Sequence, residues 1–335
     1  MKRNKLITVI FSSIIAIVVI AAAVTIPLTT PDDEKKTASD TEDMPVSSDS
    51  DRYNLLLAGT DRTSGLTDVI LILSIDRIKQ CAAVVQIPRD TYVEYTSGSY
   101  KKLNGAYGAL GADGLCELLS GGLGITIDSY LVLSPDALVE IVDGLGGVEI
   151  TLEEPMRYSD PEQGLYISLD AGTQVLSGKK AEQLIRYRSG YANGDLGRLD
   201  AQKQFLCGLL SSVRKKTDPI TVARLTAALI GKTDTGITPA EGLRLTEALL
   251  SIDPENISLV TAPGEAVIAE KSGASYYSLS SRAMGEVAEK YLGGISGSFD
   301  PEGIFLNDRY ADFKRVYEGY SKYRVYSVKS ISEGK

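Results

Sequence analysis

Tyr53-Asn54-Leu55-Leu56-Leu57-Ala58 is a short apolar run that ends at Gly59. Val69-Ile70-Leu71-Ile72-Leu73-Ser74-Ile75 repeats the pattern, and Cys81-Ala82-Ala83-Val84-Val85-Gln86-Ile87 repeats it again before Pro88 stops it. Their length and their closing Gly or Pro read as buried strands. Asp76 to Gln80 leaves room only for a turn, so the second and third runs form a hairpin. Downstream, the spacing predicts a helix over Gly111–Leu119 closed by Gly121-Gly122, a strand over Ser129–Leu133 and a helix over Pro135–Leu145 capped by Ser134. A strand over Val148–Leu152 follows, then helices from Ser177 to about Ile185, over Asp200–Val213 and over Pro239–Ser251, and a strand over Ile257–Thr261. Strands alternating with helices make an α/β layered domain, and the hairpin makes its sheet mixed. The chain shows no internal repeat, and its body is short enough to be one domain.

The amino-terminal stretch differs in kind. Lys2, Arg3 and Lys5 precede an uncharged run over residues 6–28. As a helix that run would rise ~34 Å, enough to span a bilayer. The basic flank, residues 1–5, is expected to stay cytoplasmic, which places the carboxy-terminal bulk outside a cell membrane crossed once. Ala21-Ala22-Ala23 resembles a cleavage site, but the run exceeds the apolar core of ~7–15 residues of a cleaved signal peptide, so an anchor is the preferred reading. Residues 29–50 are acidic and poor in apolar side chains and read as a flexible linker. The body is expected over residues 51–293, with a Tyr-, Lys- and Arg-rich segment over 294–335.

Composition removes several chemistries. With 335 residues and a formal charge of −9, the chain lacks the basic excess of a general nucleic-acid binder. It contains no histidine, which excludes Ser-His-Asp and Cys-His triads and histidine zinc sites and leaves acid–base work to Asp, Glu, Lys, Tyr or water. Cys81, Cys116 and Cys207 form no CxxC pair, so neither a disulfide framework nor a cysteine metal site is implied, and they are expected in the core.

The cations of this acidic chain are placed unusually. Arg89 and Asp90 follow the third strand in Ile87-Pro88-Arg89-Asp90-Thr91, and Lys101-Lys102 lies in the next loop. Arg186 and Arg188 are two residues apart, facing the same way if extended. Arg198 follows, with Gln202 one helical turn on. Ligands of open α/β sheets sit beyond the carboxyl ends of strands, and several guanidinium forks converging there suit a pyrophosphate or phosphodiester. Asp61 follows the first strand and Asp68 precedes the second, so two carboxylates at one edge of adjacent strands could hold Mg²⁺ together with phosphate oxygens. On these residues alone the preferred reading of each is a turn or capping aspartate.

Taken in order, these segments resemble the LytR-CpsA-Psr family of cell-envelope glycopolymer transferases. The resemblance rests on NLLLAGTD (Asn54–Asp61), Thr67-Asp68, VQIPRDTYV (Val85–Val93), KLNGAY (Lys102–Tyr107), VDGLGGVEI (Val142–Ile150), SDPEQGLYISL (Ser159–Leu169), Leu176–Arg188 and Gly194–Gln202. It is weaker to about Leu292, through Ala262-Pro263-Gly264 and Ser275-Tyr276-Tyr277. It implies an α/β/α sandwich with a mixed central sheet behind one transmembrane helix, and a hydrophobic tunnel for a polyprenyl chain. It further implies a phosphotransferase that moves an anionic glycopolymer from a polyprenyl-pyrophosphate carrier to a peptidoglycan hydroxyl, forming a phosphodiester. Carried over by motif, Asp61 and Asp68 become Mg²⁺ ligands, and Arg89, Lys102, Arg186, Arg188 and Arg198 grip the pyrophosphate with Gln202 as a polar partner. Asp61 or Asp90 is the candidate base for the acceptor hydroxyl, beside Arg89, the alternative being a hydroxyl whose pKa the metal lowers. The chain departs from the family at Leu66 and Ala201, where arginine is frequent, and Arg62 is a candidate replacement. These departures leave open a non-catalytic alternative: an envelope regulator or scaffold that binds the polyprenyl-linked glycan.

Two other patterns carry less. Gly231-Lys232-Thr233 ends like a P-loop but has Thr226 where the first glycine belongs. Ser99, Ser177 and Ser212 each precede a lysine by three, yet the Ser-Asp-Asn and Lys-Thr-Gly partners of acyl-serine enzymes are absent. Tyr317, Tyr320, Tyr323 and Tyr326 recur among lysines and arginines, and the preferred expectation is an element packed back on the domain.

Overall fold

The protein is represented by a computed structural model that describes residues 52–61, 65–94, 101–161, 165–187, 201–202, 204–209, 212, 232–295, 313–315 and 325–327. The anchor expected at 6–28 and the linker at 29–50 lie outside these residues. Among the described residues no helix is long and apolar enough to cross a membrane.

The elements in chain order are β1 (Arg52–Thr60), β2 (Thr67–Asp76), β3 (Cys81–Gln86), β4 (Tyr92–Val93), β5 (Lys101–Lys102), α1 (Ala106–Leu123), β6 (Ser129–Leu133), α2 (Pro135–Gly144), β7 (Val148–Leu152), β8 (Met156–Asp160), β9 (Leu165–Leu169) and β10 (Gly172–Leu176). Then come α3 (Gly178–Arg186), a helical stretch within 201–209, β11 (Thr233–Thr235), α4 (Pro239–Ser251), β12 (Ile257–Thr261), β13 (Gly264–Ala269), β14 (Ser275–Leu279), α5 (Ser281–Val287), β15 (Phe313–Arg315) and β16 (Val325–Ser327).

The central sheet has the order β11-β6-β1-β2-β3-β12-β16. The first three runs pair antiparallel, as the short turn requires, while β6 joins β1 and β12 joins β3 in parallel. The carboxyl ends of β1, β3, β6 and β12 therefore point to one end of the sheet. The strands are nearly continuous apolar runs because both faces are covered. Leu55, Leu73 and Ile75 pack beneath α2, α3, α4 and the 201–209 helical stretch, with Ile141, Leu184, Phe205 and Leu249. Their alternates Leu56, Ile70, Ile72 and Val85 pack beneath α1 and α5, with Leu115, Leu119, Met284 and Val287. The result is an α/β/α sandwich on a mixed sheet. A smaller sheet of order β14-β13-β15 stands beside it.

Helix ends follow local chemistry in part. Ser134 caps α2 by accepting from Ala137 N at 3.2 Å, and Thr238 and Glu241 cap α4 reciprocally. Ser177 precedes α3 without a side-chain cap, and Asp143 Oδ1 of α2 takes the Gly178 N–H instead, at 2.7 Å. α1 corrects its sequence reading. Its span Ala106–Leu123 is two helical pieces that meet at Gly111, whose φ of 75° and ψ of −176° are not helical, so the main helix begins there as expected; Gly121-Gly122 nevertheless lies within it, and it ends at Gly124, whose φ of 61° is left-handed. A pair of glycines does not stop a helix whose other face packs on a sheet, whereas a left-handed residue does. Arg186 is the last residue of α3, not part of an extended segment. The three cysteines are half-buried, and Cys207 and Cys116 pack against the two cores as expected, whereas Cys81 is in neither.

The far end of the sheet is fastened by polar groups from distant parts of the chain. Arg52 donates to Asp76 Oδ2 at 2.8 Å, Ser74 Oγ at 2.9 Å and Tyr291 O at 2.6 Å. Asn54 Nδ2 donates to Thr126 O at 2.7 Å and Leu292 O at 2.9 Å. The tail returns as well: β16 pairs with β12 and β15 with β13. Asp76 is fully buried and the Arg52 side chain is 9% exposed, so removing one partner strands a charge in the core. Asp76→Ala should cost about 3–5 kcal/mol of stability in urea unfolding; a loss below ~1 kcal/mol would show that the pair is solvated like a surface ion pair.

Candidate functional site

The described charged residues singled out in the sequence gather at the other end of the sheet. β1 and β2 change register there: Gly59 faces Val69 but Thr60 faces Thr67, so Asp68 is the extra residue of a β-bulge. A bulge re-aims a side chain and breaks strict alternation. Asp68 and its neighbour Val69 accordingly both line the same cavity. Asp61 closes the turn by donating its N–H to Leu66 O at 2.8 Å.

That cavity lies between the sheet and the helices on one face. Leu57, Leu71 and Leu133 form its sheet side, and Leu138, Ile185 and Phe205 are among its helix side. The space open to the centres of water molecules is about 160 Å³, roughly ten times what a single water requires. Its wall is overwhelmingly apolar, and its charged lining residues are Asp61, Asp68, Glu182 and Arg186. Gln86 and Gln202 also line it, joined by a buried bond from Gln86 Nε2 to Gln202 Oε1 at 2.9 Å. Their remaining amide atoms, Gln86 Oε1 and Gln202 Nε2, are buried without a hydrogen-bond partner.

A chain of alternating charges leads away from the cavity. Asp68 Oδ1 accepts from Arg89 Nη1. Arg89 Nε stands 3.9 Å from Asp90 Oδ2, and Asp90 Oδ1 takes Lys102 Nζ at 2.9 Å. The turn carrying Arg89 and Asp90 is fixed by its backbone: Thr91 N donates to Pro88 O at 3.0 Å, Asn104 N to Arg89 O at 3.0 Å and Tyr277 N to Asp90 O at 2.8 Å. On α3, Arg186 Nη1 lies 3.5 Å from Glu182 Oε1.

The structure thus brings together Asp61, Asp68, Arg186 and Gln202 around the cavity, with Arg89, Asp90 and Lys102 beside it. Arg188, Arg198 and Arg62 lie outside the described residues. Ala201 is buried, and Leu66 serves the Asp61 turn through its carbonyl. Two lining residues escaped the sequence reading. Glu182 stands three and four residues before Ile185 and Arg186, so the helical period alone puts it on their face. Gln86 is the one polar residue in the third apolar run.

Chemically, the arrangement suits a two-part ligand: an apolar chain along the cavity and an oxygen-rich anion at its mouth. The three carboxylates that line the cavity outnumber its one lining arginine, so an anionic group there needs further positive charge. Asp61 and Asp68 offer the hard oxygen ligands Mg²⁺ prefers, and Mg²⁺ commonly takes only one or two carboxylates, completing its shell with phosphate oxygens and water. Among the described residues no group of three or more Cys, Asp or Glu is placed to hold a metal ion by itself. The residues therefore fit Mg²⁺ bound jointly with a phosphorylated ligand.

This is a three-layer α/β protein whose strand ends carry a charged cluster over an apolar cavity. Residues 19–292 match the LytR_cpsA_psr family, and the chain belongs to it. Among curated relatives, the polyisoprenyl-teichoic acid–peptidoglycan teichoic acid transferase TagV of Bacillus subtilis is 26% identical over 211 residues, covering 61% of this chain and 54% of that protein. The chain spans about half the length of the curated relatives it matches. The crystal structure of protein gbs0355 from Streptococcus agalactiae superposes with a TM-score of 0.68 at 21% identity, covering 78% of this chain and 94% of the other. A structure of TagT bound to LI-WTA superposes with a TM-score of 0.56 at 22% identity, covering 72% and 89%.

The position of Arg186 depends on the close approach of α3 to α2. A Cβ on Gly178 would stand 2.4 Å from Val139 O and 2.7 Å from Val139 Cα. Gly178→Ala should therefore push the helices apart and cost about 1–3 kcal/mol in urea unfolding; unchanged stability would mean that α3 does not rest on α2 as described.

Proposed function

We propose that this protein is a phosphotransferase acting outside the cell membrane, which moves an anionic glycopolymer from a polyprenyl-pyrophosphate carrier to a peptidoglycan hydroxyl. The observation that carries the reading is the apolar cavity opening onto the strand-end charges, because only an amphiphile with an anionic head uses both. Membership of the family supports it, as do the name of the TagV relative and the TagT structure with its bound LI-WTA. In this reading residues 6–28 anchor the chain once in the membrane, with residues 1–5 cytoplasmic.

The polyprenyl chain lies between Leu57, Leu71 and Leu133 on one side and Leu138, Ile185 and Phe205 on the other. The pyrophosphate sits at the mouth, gripped by Arg89 and Arg186, with Lys102 beside them; Arg188 and Arg198, which the family resemblance adds to this grip, lie outside the described residues. To bind it, Arg186 turns from Glu182 and Arg89 shares itself between Asp68 and the ligand. Asp61 and Asp68 would hold Mg²⁺, which supplies charge neutralisation at the phosphate oxygens. The acceptor oxygen forms a bond to the phosphorus nearer the glycan, and the bridging P–O bond breaks. Polyprenyl phosphate leaves, and the product is a phosphodiester. The acceptor proton passes to a carboxylate, Asp61 or Asp90. Asp90 is paired with Lys102 at 2.9 Å, and Asp61 can take the proton only when it is not serving as a metal ligand. Phosphoryl transfer of this kind rests on positioning and charge, consistent with a chain that has no histidine.

The test is a transfer assay with a polyprenyl-pyrophosphate disaccharide, nascent peptidoglycan oligomers and Mg²⁺. Glycan should accumulate on peptidoglycan, and Arg186→Ala should lower the rate roughly 100- to 1,000-fold. Asp68→Ala should raise the Mg²⁺ concentration needed for half-maximal rate. Carrier binding without transfer would replace this reading with that of a glycan-binding scaffold, and absence of both would overturn it.

A further inference from the structure

Lys102 is held from two sides. Its Nζ meets Asp90 Oδ1 at 2.9 Å and stands over the ring of Tyr276, 5.7 Å from the centroid. Tyr276 belongs to β14 of the small sheet. Its ring packs edge to face with Tyr92 at 6.1 Å and with Phe313 at 5.8 Å, and Tyr92 and Phe313 pack the same way at 5.9 Å. Tyr92 lies directly opposite Lys102 in the β4–β5 pair, so both side chains leave the same face toward this cluster. Tyr92 and Phe313 are buried, at 1% and 6% exposure. Phe313 opens β15, which pairs with β13, and β15 lies beyond residue 292, where the family match ends.

We infer that β15 of the carboxy-terminal segment is a working part of the anion site: Phe313 fixes the Tyr276 ring, and the ring fixes the Lys102 ammonium beside Asp90 and Arg89. Phe313 and Tyr276 are positioning residues, acting on the ligand only through Lys102. A flexible lysine gains from such a platform, because its point charge otherwise samples many rotamers and grips a phosphate poorly. The inference rests on the function proposed above and extends the site into a segment that the family match does not reach.

A double-mutant cycle on the full-length protein tests it, reading the Kd for geranylgeranyl pyrophosphate with Mg²⁺. Phe313→Ala should weaken binding roughly fivefold in the native background. In a Lys102→Met background the same change should have an effect within about twofold, because the residue it positions is gone. Tyr276→Leu should follow Phe313→Ala, and Tyr276→Phe, which keeps the ring, should recover most of the loss. Thermal melting identifies any variant that fails to fold, and Phe313→Leu then takes the place of Phe313→Ala. Equal losses in both backgrounds would overturn the inference and leave Phe313 a structural residue. Absence of binding by the unmodified protein would instead overturn the functional reading itself.

Discussion

Burial of the central sheet on both faces is the constraint from which the rest of the structure follows. β1, β2 and β3 send alternate side chains into two apolar cores, so a charge within them would sit in a low-dielectric interior. Polar exceptions are paired: Asp76 and Ser74 with Arg52, Asn54 with the carbonyls of Thr126 and Leu292, and Gln86 with Gln202. Charge is otherwise displaced to the strand ends, and the parallel relation of β1, β3, β6 and β12 collects those ends on one side. The Asp61 turn, the Asp68 bulge and the Pro88–Thr91 turn are adjacent for that reason.

The two faces carry separate cores. Beneath α1 and α5 lie Leu115, Leu119, Met284 and Val287. Beneath α2, α3 and the 201–209 stretch a cavity remains, and it opens where the charges gather. Keeping an apolar space beside a charged mouth sacrifices contacts that close packing would supply. The amphiphilic ligand proposed above, with its anionic head, would restore them. The buried amide atoms of Gln86 and Gln202 that lack partners belong to the same wall.

Much of this was legible in the sequence, and what was not has identifiable causes. The three apolar runs, the hairpin and the capped helix after Ser134 follow from short-range rules, and the structure contains each. Asp61, Asp68, Arg89, Lys102, Arg186 and Gln202 were legible as strand-end and loop residues, but their convergence was not, because it depends on strand order. The bulge at Asp68 leaves no mark that distinguishes it from ordinary alternation. Gly121-Gly122 looks like a helix stop because glycine has poor helix propensity, and packing on the sheet overrides it. The pair β8–β9 is short and half-exposed, so its pattern is weak, β13–β14 is short and buried without a clear alternation, and β15 and β16 are three-residue strands that pair with partners distant in sequence.

The central claim is that the cavity and the charged mouth are one site. A structure of the protein with a polyprenyl pyrophosphate and Mg²⁺ tests it most directly. The isoprenoid chain should lie between Leu71 and Phe205, with the pyrophosphate within hydrogen-bond reach of Arg186 and Arg89. A lipid bound elsewhere, or a pyrophosphate at the mouth with its chain directed away from the cavity, would contradict it.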